Sequence, residues 1–110
     1  MIAQLHVPHS LLAEFCQRHH IQRLALFGSV LRQDFNADSD VDVWVEFEPG
    51  HTPGLAFFSM EAELSEILDR RVDLNTPAWL GPHFRERVAR QLEVLYDTAQ
   101  SPGQQAPSAP

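Results

Sequence analysis

One seven-residue stretch constrains the fold more than any other part of the chain: Val41-Asp42-Val43-Trp44-Val45-Glu46-Phe47. Apolar and polar residues alternate along it, as they do in a β-strand that buries one face. Residues 41–47 are therefore predicted to form a strand whose four apolar side chains point into a core. Asp42, Trp44 and Glu46 then lie on the opposite face of the sheet.

The rest of the chain supplies elements that can surround this strand. Apolar residues recur at helical spacing in three segments: 8–19, 55–69 and 82–92. Short apolar runs predict three more strands: 23–27, 72–75 and 93–96. The order helix, strand, strand, helix, strand, helix, strand predicts an α/β (α+β) fold, with a small mixed β-sheet and helices packed on one face.

The C-terminal segment, residues 99–110, has a different composition. It contains three Pro, one Gly and two Ser and lacks large apolar residues. Such a segment buries too little surface to offset its loss of conformational entropy. We therefore expect one domain over residues 1–98, followed by a disordered tail over residues 99–110.

The charge balance argues against nucleic acid as the main partner. Fifteen acidic residues stand against eight arginines, lysine is absent, and the net charge is −7. Nucleic-acid binding usually requires a basic surface that displaces counterions from phosphates. An acidic cluster that binds a metal ion fits this composition better.

Other sequence features predict a cytoplasmic protein without a membrane partner. The chain has no apolar run of about 18 residues, the length that a membrane-spanning helix needs. Its N-terminus lacks the basic and apolar segments of a secretory signal. Cys16, the only cysteine, cannot form an internal disulfide.

Three carboxylates are predicted to converge if the strands that carry Asp42 and Asp73 pair with each other. Asp40 and Asp42 lie two positions apart at the start of a strand, so both side chains point to the same side. Asp73 lies in the next strand between Val72 and Leu74, whose apolar side chains point into the core, so Asp73 points away from it. Oxygen ligands select Mg²⁺, Mn²⁺ or Ca²⁺ over zinc. Three carboxylates suffice to hold two such ions for in-line phosphoryl or nucleotidyl transfer.

Gly28 and Ser29 supply a second part of this constellation. A buried strand that ends in glycine, followed by a helical turn over residues 29–33, lets backbone N–H groups approach a phosphate closely. The Ser29 hydroxyl adds a donor, and Arg32 is positioned one turn later to reach the same phosphates. We therefore predict that Gly28, Ser29 and Arg32 bind a nucleotide.

The chain resembles the polymerase-beta-type nucleotidyltransferase superfamily, and in particular its minimal bacterial and archaeal members. The resemblance runs from about Ile21 to Tyr96 and includes four segments: Phe27-Gly28-Ser29, Ser39-Asp40-Val41-Asp42-Val43, Glu46-Phe47-Glu48-Pro49-Gly50 and Arg71-Val72-Asp73-Leu74. It implies that Asp40, Asp42 and Asp73 are catalytic metal ligands and that Gly28 and Ser29 form the triphosphate-binding turn. The sequence departs from the family at Gln33, where Gly is common.

The resemblance also implies a fold and a function. The fold is a polymerase-beta-like mixed sheet with packed helices, and the cofactor is Mg²⁺ (two ions, with Mn²⁺ as an alternative). The activity is transfer of AMP from ATP to a protein hydroxyl, in family members a tyrosine of a HEPN ribonuclease toxin, so the chain would act as an antitoxin and could form a hetero-oligomer with that toxin. The alternative is a non-catalytic antitoxin that neutralises its partner by occlusion.

Several other polar features receive structural interpretations. Asp34 and Asp38 begin like a calcium-binding loop, but Ser39 stands where that loop needs Gly, so both are interpreted as turn residues. Arg70 and Arg71 are interpreted either as a solvated helix end or as contacts to a nucleotide or partner. The six histidines are not expected to form a ligand set.

Overall fold

Four strands form one mixed sheet in the computed structural model of the chain, which describes residues 5–33, 35, 36 and 38–100. The strands are β1 (Ile21–Phe27), β2 (Val41–Phe47), β3 (Val72–Asn75) and β4 (Glu93–Asp97), in the order β3-β2-β1-β4. β1 pairs antiparallel with both β2 and β4, whereas β2 and β3 are parallel. The mixed sheet and the predicted order of elements are confirmed.

Two helices cover one face of this sheet. They are α1 (His9–Arg18) and α2 (Ala56–Leu68), and their apolar sides pack on the alternate apolar residues of the strands. Phe15, Cys16 and Met60 are fully buried there. Burial raises the pKa of the Cys16 thiol to about 12, so this cysteine is an inert part of the core, as its position on the apolar side of α1 indicates.

The third helix, α3 (Pro82–Ala89), lies against the opposite face. Its Val88 packs on Ala25, Phe27 and Trp44, which point away from the main core. The helices are therefore not all on the one face predicted from the sequence, because the large side chains of Phe27 and Trp44 need a cover of their own. The helix is also shorter than the predicted segment 82–92, since the chain must turn into β4, where Glu93 pairs with Leu26.

The described residues extend just into the segment that was predicted to be a disordered tail. A 3₁₀ turn at Thr98–Gln100 follows β4, so regular structure enters the segment predicted to be a disordered tail. Residues 101–110 lie outside the described residues. Within the described ranges, no helix has the length and apolar character that crossing a bilayer requires, and the longest, α2, has 13 residues.

The outer edge of β3 is closed by side chains of α2. The backbone N–H of Leu74 donates to Glu61 Oε2 at 2.8 Å, and the N–H of Val72 donates to Ser65 Oγ at 3.1 Å. An uncovered edge strand would leave these donors without protein partners. The two contacts therefore fix the position of β3, and with it the position of Asp73 between Val72 and Leu74.

We expect Glu61→Ala to lower the free energy of unfolding by about 1–3 kcal/mol, because the Leu74 N–H loses its acceptor at a partly buried edge. Chemical denaturation measures this change. Glu61→Gln is the matched control, because its amide oxygen can still accept the bond. Equal losses in both variants would show that the hydrogen bond does not stabilise β3.

Candidate active site

The turn after β1 brings the backbone of Gly28 against the Asp42 side chain. Gly28 has a φ of +76° and begins a 3₁₀ turn at Gly28–Leu31. A Cβ atom added to Gly28 would lie 2.3 Å from Asp42 Oδ2, well inside van der Waals contact. Glycine is thus required here both for its left-handed backbone and for the close approach of the carboxylate.

Two of the predicted carboxylates face each other across the parallel strands. Asp42 and Asp73 are register partners in β2 and β3, so their side chains emerge on the same face of the sheet. This is the face away from the main core, and Phe27 on β1 pairs with Asp42 on its other side. The strand pairing on which the predicted role of Asp73 depends is therefore present.

The surroundings of Asp42 disfavour its charged form. Burial raises the pKa of the Asp42 carboxyl above its ordinary value, and the negative charges of Asp73 and Asp40 raise it further. A backbone hydrogen bond from Ser29 and the positive charge of Arg32 act in the opposite direction. Negative charge is concentrated at this position, and an added cation would relieve the repulsion.

Asp40 lies just before β2 and is more exposed than Asp42. Arg71 Nε donates to Asp40 Oδ1 at 2.7 Å, and Arg71 Nη2 donates to the carbonyl oxygen of Asp38 at 3.1 Å. The Ser29 hydroxyl donates to the backbone carbonyl of Asp40 at 3.2 Å. The turn that carries Ser29 is thus joined directly to the segment that carries Asp40.

Arg70 holds the preceding part of the same loop. Its Nη2 donates to the carbonyl oxygens of Asn36 and Ser39 at 2.6 and 3.0 Å, and its guanidinium lies 4.4 Å from the centre of the Phe35 ring. Arg70 and Arg71 therefore both bind this loop, although the Arg71 side chain remains 76% exposed to solvent. They position the loop that leads to Asp40, a role that the sequence analysis missed.

A cleft of about 420 Å³ opens beside Asp42. Its walls come from the Gly28 turn and from α3, and it is lined by nine residues: Phe27, Gly28, Ser29, Arg32, Asp42, Phe84, Arg87, Val88 and Gln91. Two guanidinium groups, those of Arg32 and Arg87, thus border the same space as the Asp42 carboxylate. The cleft can hold an anionic group next to the Asp42 carboxylate.

Arg87 is a second residue whose place the sequence did not reveal. Arg85 and Arg90 lie on the same helix but are engaged elsewhere: Arg85 donates to the carbonyl of Pro77, and Arg90 pairs with Glu86. Among these three arginines only Arg87 lines the cleft. Which of the three arginines lines the cleft depends on which side of α3 faces the sheet. The sequence shows only that the arginines lie close together in the chain.

Other expectations have mixed outcomes. Asp34 lies outside the described residues, and Asp38 is exposed and contributes its backbone carbonyl to Arg71. The expectation that the histidines form no ligand set stays a prediction, although His20 and His51 meet at Glu48 in an arrangement that could hold a metal ion.

We expect Asp42→Asn to raise the apparent Tm of the metal-free protein by up to a few degrees at neutral pH. The folded-state pKa of Asp42 is raised, so the folded protein holds this proton to higher pH than the unfolded chain does. Stability is therefore lost as pH rises through the folded pKa, and a neutral side chain avoids that loss. Thermal unfolding across a pH series measures the effect, which should disappear below about pH 4, where aspartate is protonated in the unfolded chain as well. A lower Tm for the variant at neutral pH would contradict it.

The sequence profile described as "Polymerase beta, Nucleotidyltransferase" matches residues 11–101 of the chain. The chain is also similar to the protein adenylyltransferase MntA of Thermococcus cleftensis, with 36% identity over 84 residues, 76% of this chain and 81% of the relative. A solved structure of a protein described as a minimal nucleotidyltransferase is 36% identical and aligns with a TM-score of 0.63, over 78% of this chain and 85% of that one.

Two solved toxin–antitoxin complexes share the fold at lower identity. One, crystallised with AMP-PNP, aligns with a TM-score of 0.67 at 22% identity and covers 86% of this chain and 77% of its own. The other is a tri-AMPylated Shewanella oneidensis HEPN toxin in complex with an MNT antitoxin. It aligns with a TM-score of 0.59 at 22% identity, over 84% of this chain and 71% of that one. These two similarities concern the arrangement of the strands and helices.

Proposed function

Since this chain belongs to the polymerase beta nucleotidyltransferase family, we propose that it is a protein adenylyltransferase that transfers AMP from ATP to a hydroxyl group of a partner protein. The observation that carries this proposal is the contact of Asp42 with Gly28 on one side and its pairing with Asp73 on the other. It brings a glycine turn whose backbone suits a phosphate next to two paired carboxylates.

The residues of the cleft suit the binding of a triphosphate. Backbone N–H groups of the Gly28–Leu31 turn can donate to phosphate oxygens, and the Ser29 hydroxyl can do so once it turns away from the Asp40 carbonyl. Arg32 and Arg87 border the same cleft and can offset the charge of the leaving pyrophosphate. We assign Gly28, Ser29 and Arg32 to nucleotide binding, as the sequence predicts, and add Arg87.

The carboxylates fit a hard divalent cation, because Asp42 and Asp73 pair in register and because burial, with the charges of Asp73 and Asp40, raises the pKa of Asp42. Asp40, Asp42 and Asp73 would hold the Mg²⁺ ions. Bound Mg²⁺ would neutralise the triphosphate and make the acceptor hydroxyl more acidic.

Asp73 is the best candidate for the general base, because it is exposed and lies opposite the more enclosed Asp42. In the proposed reaction Asp73 takes the proton of the acceptor hydroxyl, whose oxygen forms a bond to the α-phosphorus. The bond from the α-phosphorus to the bridging oxygen breaks, and pyrophosphate leaves with that oxygen. The cleft arginines need only hold and orient the reacting groups.

A protein acceptor suits a domain of this size. Beyond the sheet and its covering helices, the described residues leave little surface to recognise a separate small acceptor. The relative named as an adenylyltransferase and the AMPylated HEPN toxin complex support a HEPN toxin as the partner. A tyrosine as its acceptor is what the family resemblance of the sequence implies. The chain would then be the antitoxin of a toxin–antitoxin pair in the cytoplasm, in complex with the toxin.

The direct test is incubation of the protein with labelled ATP, Mg²⁺ and the product of a neighbouring HEPN gene, followed by mass spectrometry of that partner. We expect a mass gain of one or more AMP units on a tyrosine, and no gain with the Asp40→Asn/Asp42→Asn double variant. Transfer that persists in the double variant would contradict the assigned site. A double variant that still neutralises the toxin without transfer would favour the occlusion alternative.

A further inference from the structure

Two imidazoles and a carboxylate meet at the end of the sheet opposite the candidate active site. The potential ligand atoms of His20, Glu48 and His51 all lie within 4.8 Å of one another. The two imidazole rings are stacked, with their centres 3.9 Å apart and their planes at 19°, and His20 Nδ1 lies 3.8 Å from Glu48 Oε1. This group is distant in the fold from Asp42, because β1 and β2 run from it to the Gly28 turn.

The backbone holds these three side chains together. Glu48, Pro49, Gly50 and His51 form a tight turn in which the His51 N–H donates to the Glu48 carbonyl at 3.0 Å, and Gly50 has a φ of +83°. Proline followed by a glycine with positive φ is typical of a type II turn, which places the first and fourth residues side by side. The geometry of this turn therefore places Glu48 and His51 next to each other.

His20 is fixed to the same turn by its own backbone. The Glu48 N–H donates to the His20 carbonyl at 2.9 Å, and His20 adopts a left-handed conformation with a φ of +56°. A non-glycine residue with positive φ is uncommon and is held there by its surroundings. The α1–β1 connection thus supplies His20, and the β2–α2 loop supplies Glu48 and His51, to the same point on the surface.

We propose that His20, Glu48 and His51 form a Zn²⁺ site that joins these two connections. Two imidazole nitrogens and one carboxylate oxygen are a characteristic three-residue zinc ligand set, which leaves a fourth position for water. Zinc holds such ligands at about 2.0–2.2 Å, and an imidazole binds it through a nitrogen lone pair that lies in the ring plane. The ligand atoms already lie within 4.8 Å of one another, so binding requires that the two rings turn out of their stacked arrangement until both lone pairs point at one position. His20 and His51 are exposed, so these adjustments do not disturb the core.

The ligand chemistry separates this site from the carboxylates of the candidate active site. Imidazole favours Zn²⁺ and related transition metals, whereas an all-carboxylate set favours Mg²⁺. The inference does not depend on the proposed adenylyltransferase activity. A zinc ion here would pin the start of β1 to the end of β2, and it would stabilise the folded chain because the unfolded chain does not hold the three ligands together.

The test is a Zn²⁺ titration of the full chain against a chromophoric zinc chelator, with excess Mg²⁺ present so that the carboxylates of the active site are occupied. We expect one equivalent of Zn²⁺ to bind. His51→Ala and His20→Asn should each weaken binding by about tenfold or more. Asparagine is used at position 20 because it tolerates the left-handed backbone.

His9→Ala is the matched control, because it removes an exposed histidine outside the group. Thermal unfolding gives a second readout: Zn²⁺ should raise the Tm of the wild type and of His9→Ala by about 5 °C. It should leave the Tm of the two cluster variants unchanged, and variants that unfold at the wild-type temperature without zinc are correctly folded. Wild-type zinc affinity in His51→Ala and His20→Asn, or an equal loss in His9→Ala, would overturn the proposal.

Discussion

Asp42→Asn is expected to reduce AMP transfer by at least about 1,000-fold while the protein remains folded. Asp42 is the carboxylate that the fold encloses most: it lies against the Gly28 backbone, pairs with Asp73 and lines the cleft. An amide of the same shape keeps the packing but removes the negative charge that a divalent cation requires. Transfer of label from ATP to the partner protein, followed over time, measures the loss.

Asp69→Asn provides a matched control for this substitution. Asp69 is an exposed carboxylate at the end of α2 with a φ of +55°, a conformation that asparagine also tolerates. It should transfer AMP at the wild-type rate. The Tm expected for Asp42→Asn is equal to or above that of the wild type, so lost activity cannot be attributed to unfolding. More than about one tenth of wild-type transfer in Asp42→Asn would contradict a metal-binding role for this residue.

The two strands that carry the carboxylates could be predicted to the residue. Residues 41–47 and 72–75 have the predicted bounds, because polar and apolar side chains alternate along both segments. That alternation also predicts which way Asp42 and Asp73 point. The sheet pairs them in register, so local pattern and tertiary structure agree at this site.

What could not be predicted depends on residues that are far apart in the chain. Arg70 and Arg71 lie more than thirty positions from the carbonyl groups and the Asp40 carboxylate that they bind. Their role follows from the parallel pairing of β2 and β3, which brings the residues before the two strands together. Sequence alone shows two adjacent arginines at a helix end.

The same reason explains the cleft arginine and the histidine group. Arg87 reaches the cleft only because α3 crosses to the face that carries Phe27 and Trp44. His20 and His51 are separated by two whole strands, which return antiparallel to the same end of the sheet. In both cases the sequence shows which residues are present, but only the order and direction of the strands and helices bring them close together.

The position of Asp42 in the candidate active site lowers the stability of the metal-free protein. Asp42 is partly buried next to two other carboxylates, and burial and the neighbouring charges oppose its ionisation. The fold tolerates this arrangement because the strands are fixed from outside the site, by Glu61 and Ser65 at the edge of β3 and by Arg71 at the loop. Binding of a cation would remove the repulsion that the metal-free protein retains.

Gly28→Ala is expected to lower the free energy of unfolding by about 1–3 kcal/mol and AMP transfer by about 100-fold or more. The new methyl group would meet Asp42 Oδ2 at 2.3 Å, and the left-handed backbone at φ +76° adds strain for any residue with a Cβ. The Asp42 side chain must move away, which separates the carboxylate from the N–H groups of the Gly28–Leu31 turn. Chemical denaturation and the AMP-transfer assay measure the two effects.

Gly54→Ala separates the effect of backbone strain from the effect of the clash with Asp42. Gly54 also has a positive φ, +64°, but a Cβ at this position would have no neighbour within 4 Å. It should therefore show the backbone strain alone, with transfer unchanged. The excess loss of stability in Gly28→Ala should shrink in an Asp42→Ala background, because the clashing oxygen is then absent. If Gly28→Ala lost no more stability than Gly54→Ala and kept wild-type transfer, the contact between Gly28 and Asp42 would have no part in shaping the site.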